Sequence, residues 1–218
     1  MCGVCGIFRG AGREHEGFAD LDTMAAALRH RGPDNTSSHV AGRIGVAHTR
    51  LALLDLSERG NQPFRDERYS LVYNGEIYNF AALRRELEME HAIEFRSGTD
   101  TEVLFHSLIH HGVRRTLDRA HGMFAFAFVD HHEQRIVLAR DRVGIKPLFY
   151  GVVRGDVYFA SEIKALHGVL DLTPDKQTVP YAVFHLLERS RTLTAFEEVR
   201  QVAPGSYVVI DASCRLTT

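Results

Sequence analysis

The sequence predicts an α+β fold built on largely antiparallel sheets. Short apolar runs are separated by turns that contain Gly, Pro and Asn, and the helical patterns fall in separate blocks instead of alternating regularly with strands. The 218 residues contain no internal repeat and no low-complexity segment. They therefore suit one large domain, or one domain with a short appendage.

The composition is that of a globular protein with a sizeable core, since 44% of the residues are hydrophobic and 25% are charged. The formal net charge of −2 gives no electrostatic reason to expect nucleic acid or an anionic membrane as a partner. No apolar run approaches the roughly 18–20 residues that span a bilayer, and the N-terminus lacks a basic-then-apolar signal pattern. Three cysteines are too few for a secreted disulfide scaffold, so we expect a reducing, cytoplasmic setting.

Eight segments are predicted to be strands from their apolar pattern and from the turn residues that bound them. They cover residues 4–8, 43–54 (a strand with a turn after it), 69–73, 123–130, 135–141, 149–153, 157–160 and 201–210. The segments at 123–130 and 135–141 are close enough to form a hairpin, and Pro204-Gly205 is predicted to bend the last strand. Residues 61–64 are predicted to be a loop.

Four segments are predicted to be helical, at residues 21–30, 79–88, 99–111 and 161–166. The first has apolar residues at helical spacing and is ended by Gly32 and Pro33, which cannot continue a helix. Thr99 and Glu102 have the spacing of a capping box and open the third helix.

Cys2 is a candidate nucleophile, because removal of Met1 would leave one residue with both a thiol and a free α-amine. Such an amine has an ordinary pKa of about 7.7–8.0, so a useful fraction is neutral and can act as a built-in base for the thiol. A free cysteine is more often a small buried hydrophobic residue. Position two favours the nucleophile, since a structural thiol has no need of that position.

Cys2 and Cys5 also match the C-x-x-C pattern of redox and zinc sites. The chain has no second cysteine pair, and no helix pattern begins after the motif as in thioredoxin-like proteins, so Cys5 is predicted to be a small core residue. His110-His111 and His131-His132 show no metal-ligand spacing and are predicted to lie on the surface. No metal site is predicted.

Asn74-Gly75 allows two interpretations. The dipeptide is typical of a type I′ hairpin turn. Alternatively, the side-chain amide of Asn74 and the backbone N–H of Gly75 form an oxyanion hole. The surrounding residues 73–79 are more polar and aromatic than a simple turn requires, which favours the second interpretation.

Two charged residues have alternative interpretations as well. Arg50 is either a solvated charge at a strand end or a planar fork for a carboxylate ligand. Asp100 is either a first-turn acid favoured by the helix dipole or a partner for a substrate ammonium group. Arg29-His30-Arg31 is too weak a basic patch, in a chain of net negative charge, to indicate a phosphate site.

Taken together, the motifs resemble those of the N-terminal glutaminase domain of asparagine synthetases. This is a branch of the class II glutamine amidotransferases, which have the N-terminal-nucleophile hydrolase fold. The matching segments cover nearly the whole chain and are residues 1–3, 29–34, 48–51, 73–79, 97–102, 122–127, 140–148, 160–166 and 204–205. Other class II branches share the Cys, Arg, Asn-Gly and Asp positions, whereas residues 29–34 and 73–79 look like the asparagine synthetase branch.

The resemblance implies a four-layer αββα sandwich with two largely antiparallel sheets, and it implies catalytic roles. Cys2, after loss of Met1, attacks the side-chain amide of glutamine, and its own α-amine moves the proton. Asn74 and Gly75 hold the oxyanion. Ammonia leaves, and water releases glutamate from a γ-glutamyl thioester on Cys2.

The resemblance also implies how glutamine is held. Arg50 binds the substrate α-carboxylate, while Glu76 and Asp100 bind the α-ammonium group. All of these residue types are present at the matching positions, so nothing in the sequence indicates an inactive site.

The resemblance further implies a glutaminase domain at residues 1–190 and a C-terminal strand segment at 191–218, which would lead to a synthetase domain absent from this chain. No Ser-Gly-Gly-type phosphate loop occurs in the sequence. No cofactor is expected in this chain, since ATP and Mg²⁺ are expected only on a synthetase domain. Ammonia is expected to pass to such a domain or to a separate subunit.

Two alternatives stay open at this point. One is a non-catalytic amino-acid-binding or assembly module of the same fold, which the joint presence of Cys2, Arg50, Asn74 and Asp100 disfavours. The other is an N-terminal-nucleophile amidase for a different amide, which would not need Arg50 and Asp100 as a clamp for a zwitterion.

Overall fold

The computed structural model describes residues 1–13, 15–178 and 191–218. The strands of the described part, in chain order, are Gly3–Phe8 (β1), Asn35–Ala41 (β2), Ile44–Arg50 (β3), Phe64–Arg65 (β4), Tyr69–Ile77 (β5), Gly122–Asp130 (β6), Arg135–Arg140 (β7), Phe149–Val153 (β8), Asp156–Ala160 (β9), Val199–Gln201 (β10), Tyr207–Ile210 (β11) and Leu216–Thr217 (β12). Its α-helices are Ala19–Ala27 (α1), Phe80–His91 (α2), Asp100–Arg119 (α3) and Ile163–His167 (α4).

The strands form two six-stranded sheets, in the spatial orders β10-β8-β9-β1-β3-β2 and β12-β11-β7-β6-β5-β4. Every pair of neighbouring strands in the described residues is antiparallel. The predicted α+β fold with largely antiparallel sheets is therefore confirmed.

The two sheets pack face to face over a shared apolar core. In β1, Val4 and Phe8 face this core, whereas Cys5 and Ile7 point to the opposite face, as alternate residues of a strand must. Both faces of β1 are covered, which explains why its sequence is apolar throughout instead of alternating. Cys5 is fully buried there, as the sequence predicted for a small core residue.

Helices cover the two outer faces. Helices α1 and α4 pack on the first sheet through side chains such as Met24 and Leu166, and α2 and α3 pack on the second through Leu87 and Leu104. The resulting helix–sheet–sheet–helix order is the four-layer αββα sandwich that the resemblance implied. Among the described residues, no helix combines the length and the apolar character that crossing a membrane requires.

Strand β5 runs straight through Asn74 and Gly75, so the hairpin-turn interpretation of this dipeptide is wrong. Asn74 lies opposite Ala125 in β6, and Gly75 lies opposite Phe124. A Cβ atom on Gly75 would lie only 2.3 Å from the backbone oxygen of Met123. The glycine is needed for the close approach of β6, and such a glycine has the same sequence signature as one in a turn.

The strand predicted at 201–210 is two strands in different sheets. Strand β10 pairs with β8, whereas β11 pairs with β7. Pro204 and Gly205, the latter with φ +66°, carry the chain from one sheet to the other. The domain boundary at residues 190 and 191 stays a prediction, since residues 179–190 lie outside the described part of the chain.

Three smaller differences between the predicted and the observed elements also have physical reasons. Strand β2 was not predicted, because it is an edge strand in which half-buried and exposed residues alternate and most are polar. Helix α1 ends at Ala27, three residues before the predicted end. Helix α3 continues past residue 111 to Arg119 across a break at Gly112, whose φ of +75° suits glycine.

Asp141, buried just after β7, organises the loop that follows. Its Oδ1 accepts the backbone N–H groups of residues 143–145, and its Oδ2 accepts those of Lys146 and Phe124, at distances of 2.7 to 3.1 Å. Burial alone would raise the pKa of Asp141, but these N–H donors outweigh it and hold the pKa below its ordinary value. The carboxylate therefore ties loop 141–146 to β6.

Asp141→Asn should lower the free energy of unfolding at about pH 7 by about 2–4 kcal/mol, because an amide NH₂ would then face backbone donors. Since the pKa of Asp141 is lowered in the folded protein, its contribution is complete above the unfolded pKa and is lost as the pH falls through the folded pKa. Urea unfolding should show a difference between wild type and variant that narrows as the pH falls below about 4. If the free energy of unfolding differed between wild type and variant by the same amount at pH 7 and below pH 4, this role would be contradicted.

Candidate active site

A cavity of about 300 Å³ opens where β1 begins beside the end of β3 and next to β5. Its lining includes all six residues predicted from the sequence, which are Cys2, Arg50, Asn74, Gly75, Glu76 and Asp100. The fold thus brings together side chains from the chain start, two strands of different sheets and the first turn of a helix.

Cys2 lies half-buried at the entry to β1. The N–H of Leu51 donates to its Sγ at 3.4 Å, and this sulfur lies 3.7 Å from the oxygen of Leu51. Burial raises the pKa of the Cys2 thiol above its ordinary value, although the Leu51 contact and nearby positive charges oppose this. The thiol is therefore mostly protonated at neutral pH, and its use as a nucleophile requires a base. Met1 precedes Cys2 here, so the Cys2 nitrogen is an amide that cannot be this base.

Arg31 fixes the main chain of Cys2 from behind, a role that the sequence analysis missed. Its Nε donates to the Cys2 oxygen at 2.9 Å, and its Nη1 donates to Glu162 Oε1 at 2.6 Å. Burial acts in the opposite direction, but hydrogen bonds from Arg31, Lys164 and His30 lower the pKa of Glu162 to about 2. The signal that was available is that one matching string, 29–34, contains Arg31 and another, 160–166, contains the oppositely charged Glu162.

Ser161 holds the backbone of Val4, two residues after Cys2, in strand β1. Its Oγ accepts the N–H of Val4 at 3.0 Å, and its own N–H donates to the Val4 oxygen at 2.8 Å. The backbone on both sides of Gly3 is therefore held in place by Arg31, in the loop after α1, and by Ser161, directly after β9.

The register of β5 on β6 determines where Gly75 points. Phe124 directs both of its backbone groups at Asp141, on the side away from β5. Gly75 and Phe124 therefore lie opposite each other without exchanging backbone hydrogen bonds. The N–H of Gly75 points away from β6.

The N–H groups on this outer edge of β5 are those of Tyr73, Gly75 and Ile77, since donors alternate sides along a strand. Tyr73 donates to Gln62 Oε1 at 2.6 Å, and Ile77 donates to Asp100 Oδ2 at 2.9 Å. Gly75, between them, lines the cavity. Its N–H is thus directed at the space that a ligand would occupy.

The Asn74 side chain points between the two sheets, on the same face of β5 as Val72 of the inter-sheet core. It is 2% exposed, and its Nδ2 has no hydrogen-bond partner in the described part of the chain. An unsatisfied buried donor costs about 1–3 kcal/mol. Asn74 Nδ2 and Gly75 N–H are therefore two donors suited to bind an oxyanion.

Arg50 is buried and bonds to neutral acceptors. Its Nη1 donates to the Ser57 oxygen at 2.7 Å and to Asn61 Oδ1 at 2.8 Å, and its Nη2 donates to the Asp55 backbone oxygen. Among the described residues, no carboxylate lies within 4.0 Å of the guanidinium. A Cβ on Gly60 would lie 2.3 Å from Nη2, so the glycine leaves room for the guanidinium in this position. The charge of Arg50 is available to an anionic ligand.

Asp100, at the start of α3, turns its carboxylate towards β5. Its Oδ2 accepts the hydroxyl of Tyr73 at 2.6 Å as well as the Ile77 N–H. Burial raises the pKa of Asp100, these two bonds oppose the rise, and the Glu76 carboxylate adds to it. A cationic ligand group beside Asp100 would favour the ionised form of this carboxyl group.

Two further residues near the cavity were not singled out from the sequence. Lys146 lines it, is almost fully buried, and places its Nζ 3.3 Å from Met1 Sδ. His48 lies behind the lining, and its Nε2 is 3.1 Å from the Tyr73 oxygen. Burial, with Arg50 adding to it, lowers the pKa of His48 to about 3. This histidine is therefore neutral and ties β3 to β5.

The family described as the glutamine amidotransferase domain matches residues 1–217 of this chain. Glutamine-hydrolysing asparagine synthetase 2 of Bacillus subtilis is 42% identical over 170 residues, which are 76% of this chain and 22% of the relative. Glutamine-hydrolysing asparagine synthetase 1 of the same organism is 35% identical over 216 residues, which are 96% of this chain and 33% of the relative. The chain thus spans about a fifth to a third of the length of these curated relatives.

Among solved structures, glutamine phosphoribosylpyrophosphate amidotransferase from B. subtilis superposes with a TM-score of 0.72. The match covers 99% of this chain and 49% of that one, at 20% sequence identity. This likeness shows a shared fold.

Cys2 should be the reactive thiol of the folded protein, because Cys5 and Cys214 are buried while Cys2 lines the cavity. We expect iodoacetamide to alkylate Cys2 first, at a rate that still rises above about pH 8.5, since only the thiolate reacts and the pKa of Cys2 is raised. Peptide mass spectrometry locates the label. Cys214→Ser should leave the pattern unchanged, whereas preferential labelling of Cys5 would contradict the assignment.

Proposed function

Because the chain belongs to the class II glutamine amidotransferase domains, and to the branch of glutamine-hydrolysing asparagine synthetase-like proteins, we propose that Cys2 hydrolyses glutamine to glutamate and ammonia. The observation that carries this proposal is the cavity itself. It combines a thiol, two open hydrogen-bond donors, a pair of acids and an arginine that has no carboxylate partner among the residues the structure describes.

Glutamine matches this set of groups. Its α-carboxylate would bind the guanidinium of Arg50, and its α-ammonium group would bind Asp100 and Glu76. The neutral side-chain amide would then project towards Cys2. A substrate without both charged groups would leave either Arg50 or the acid pair unsatisfied, which favours glutamine over an unrelated amide.

The reaction begins after removal of Met1, when the α-amine of Cys2 accepts the thiol proton. The sulfur attacks the side-chain carbonyl carbon, and the negative charge on the carbonyl oxygen is held by Asn74 Nδ2 and the Gly75 N–H. The amine returns the proton to the departing nitrogen, so ammonia leaves and a γ-glutamyl thioester remains. A water molecule then releases glutamate. The raised thiol pKa supports this scheme, because a protonated thiol needs a base within reach.

The ammonia acceptor is proposed to be an asparagine synthetase-type domain or subunit that covers the rim of the cavity. In support, exposed apolar side chains lie on the two loops beside it, at Leu53, Leu54, Leu56, Val143 and Ile145. Such a patch is typical of a surface that another structure covers. ATP and Mg²⁺ would act on that partner, and this chain would supply the glutaminase reaction without a cofactor.

The direct test combines intact mass spectrometry with a glutamate-release assay on the purified chain. We expect protein that lacks Met1 to release glutamate and to gain one covalent adduct on Cys2 from a glutamine-mimicking diazoketone. Cys2→Ser should lose both properties. Equal ammonia release from protein that retains Met1 would exclude the amine as base, and an inert Met1-free protein would favour the non-catalytic module of the same fold.

Asn74→Ala should lower kcat for glutamine hydrolysis by about 10²–10³-fold with little change in KM, because the oxyanion exists only in the transition state. Arg50→Lys is the matched comparison. It should mainly raise KM, since the α-carboxylate is bound alike in the ground and transition states. Steady-state kinetics measure both, and a near-wild-type kcat for Asn74→Ala would remove Asn74 from this role.

A further inference from the structure

Away from the cavity, four side chains capable of binding a metal meet where α2 ends and α3 breaks. Glu90 and His91 are the last two residues of α2, and His110 and His111 immediately precede the break at Gly112. The two helices pack against each other, so residues about twenty positions apart in sequence become neighbours.

The distances in this cluster are close to those of a metal site. Glu90 Oε2 lies 3.2 Å from His111 Nε2 and 3.9 Å from His91 Nε2. One ligand atom from each of these three residues lies within 4.8 Å of the other two. Ligand atoms about 2.0–2.2 Å from a tetrahedral zinc ion lie roughly 3.3–3.6 Å apart, so only small side-chain rotations are needed.

The surroundings of the cluster restrict these side chains. The His111 side chain is only 4% exposed. The ring of His110 stacks on that of His91, with centroids 4.4 Å apart and an interplanar angle of 28°. Because His111 is buried and His91 stacks on His110, these two imidazoles lose little side-chain freedom when an ion binds.

We propose that Glu90, His91 and His111 bind a divalent transition-metal ion, with Zn²⁺ as the preferred ion, and that the ion joins the end of α2 to α3. Two imidazoles and one carboxylate are a known zinc donor set, and they leave a fourth position for water. None of the three residues lines the catalytic cavity, so the site would be structural and independent of the proposed hydrolysis.

Arg115 competes with a metal ion for the carboxylate of Glu90. Its Nη2 lies 3.8 Å from Glu90 Oε2, and its side chain is 54% exposed. An exposed ion pair of this kind contributes about 0–1 kcal/mol, so the carboxylate can exchange it for a divalent ion.

Spacing along the chain could not indicate this site. Two adjacent histidines on a helix point in directions about 100° apart, so they do not form a ligand pair by themselves. Of the three ligands only His111 is on α3; His91 and Glu90 are on α2, and only the packing of α2 on α3 brings them to His111.

The test uses the full chain carrying Cys2→Ser, so that the cavity thiol does not bind metal, after removal of metal with a chelator. Titration with Co²⁺ alone should give the visible d–d bands of a tetrahedral nitrogen- and oxygen-ligated ion at one equivalent, without a sulfur charge-transfer band. Zn²⁺ alone should displace the Co²⁺. At about a hundredfold excess over its Kd, Zn²⁺ should also raise Tm by roughly 5–10 °C.

His111→Ala and Glu90→Gln should each reduce the affinity for Zn²⁺ by roughly tenfold or more, because one of three ligands is lost. His132→Ala is the matched control, since His132 pairs with Glu133 at 3.3 Å but is not among the three clustered ligands. If His111→Ala fails to fold, the exposed Glu90→Gln still decides the question. Absence of Co²⁺ bands, or Zn²⁺ binding unchanged in Glu90→Gln, would overturn the proposal.

Discussion

The short length of β4 is the constraint on which the candidate active site depends. It pairs with β5 only at Ser70 and Leu71, so in the described part of the chain the outer edge of β5 has no strand partner beyond that point. Buried backbone donors on an open edge must find other acceptors. Side chains from Gln62 and Asp100 supply two of them. Gly75 lies between these two fixed points, so the strand is held rigidly while one donor faces the cavity.

The site also separates its charges instead of pairing them. Arg50 bonds to neutral oxygens, whereas Asp100 is held by the Tyr73 hydroxyl and a backbone N–H, and no ion pair joins the two sides in the described residues. A buried charge or donor without its natural partner lowers stability. The protein offsets this with well-satisfied groups outside the cavity, such as Asp141, whose carboxylate accepts five backbone N–H groups. Such a distribution is typical of a site arranged for a ligand.

The family resemblance implied the four-layer order, whereas the sequence pattern itself predicted the α+β class with antiparallel sheets, because apolar strands, helix periodicity and turn residues are local signals. It also predicted which residues gather in the cavity, although their individual roles stay predictions. It could not distinguish a glycine required by a neighbouring strand from one in a turn, as at Gly75, because both favour the same dipeptide. Nor could it place Arg31 behind Cys2 or bring His91 to His111, since those contacts depend on how distant segments pack.

The central position of β1 has a consequence for how the protein is made. On one side Cys5 lies opposite Ala47, and on the other it lies opposite Ala160. A ribosome must therefore synthesise most of the chain before the first strand gains its second neighbour. During that interval β1 pairs with β3 alone, and its other edge stays open. The topology therefore leaves time for the proposed loss of Met1 before the second edge of β1 is covered.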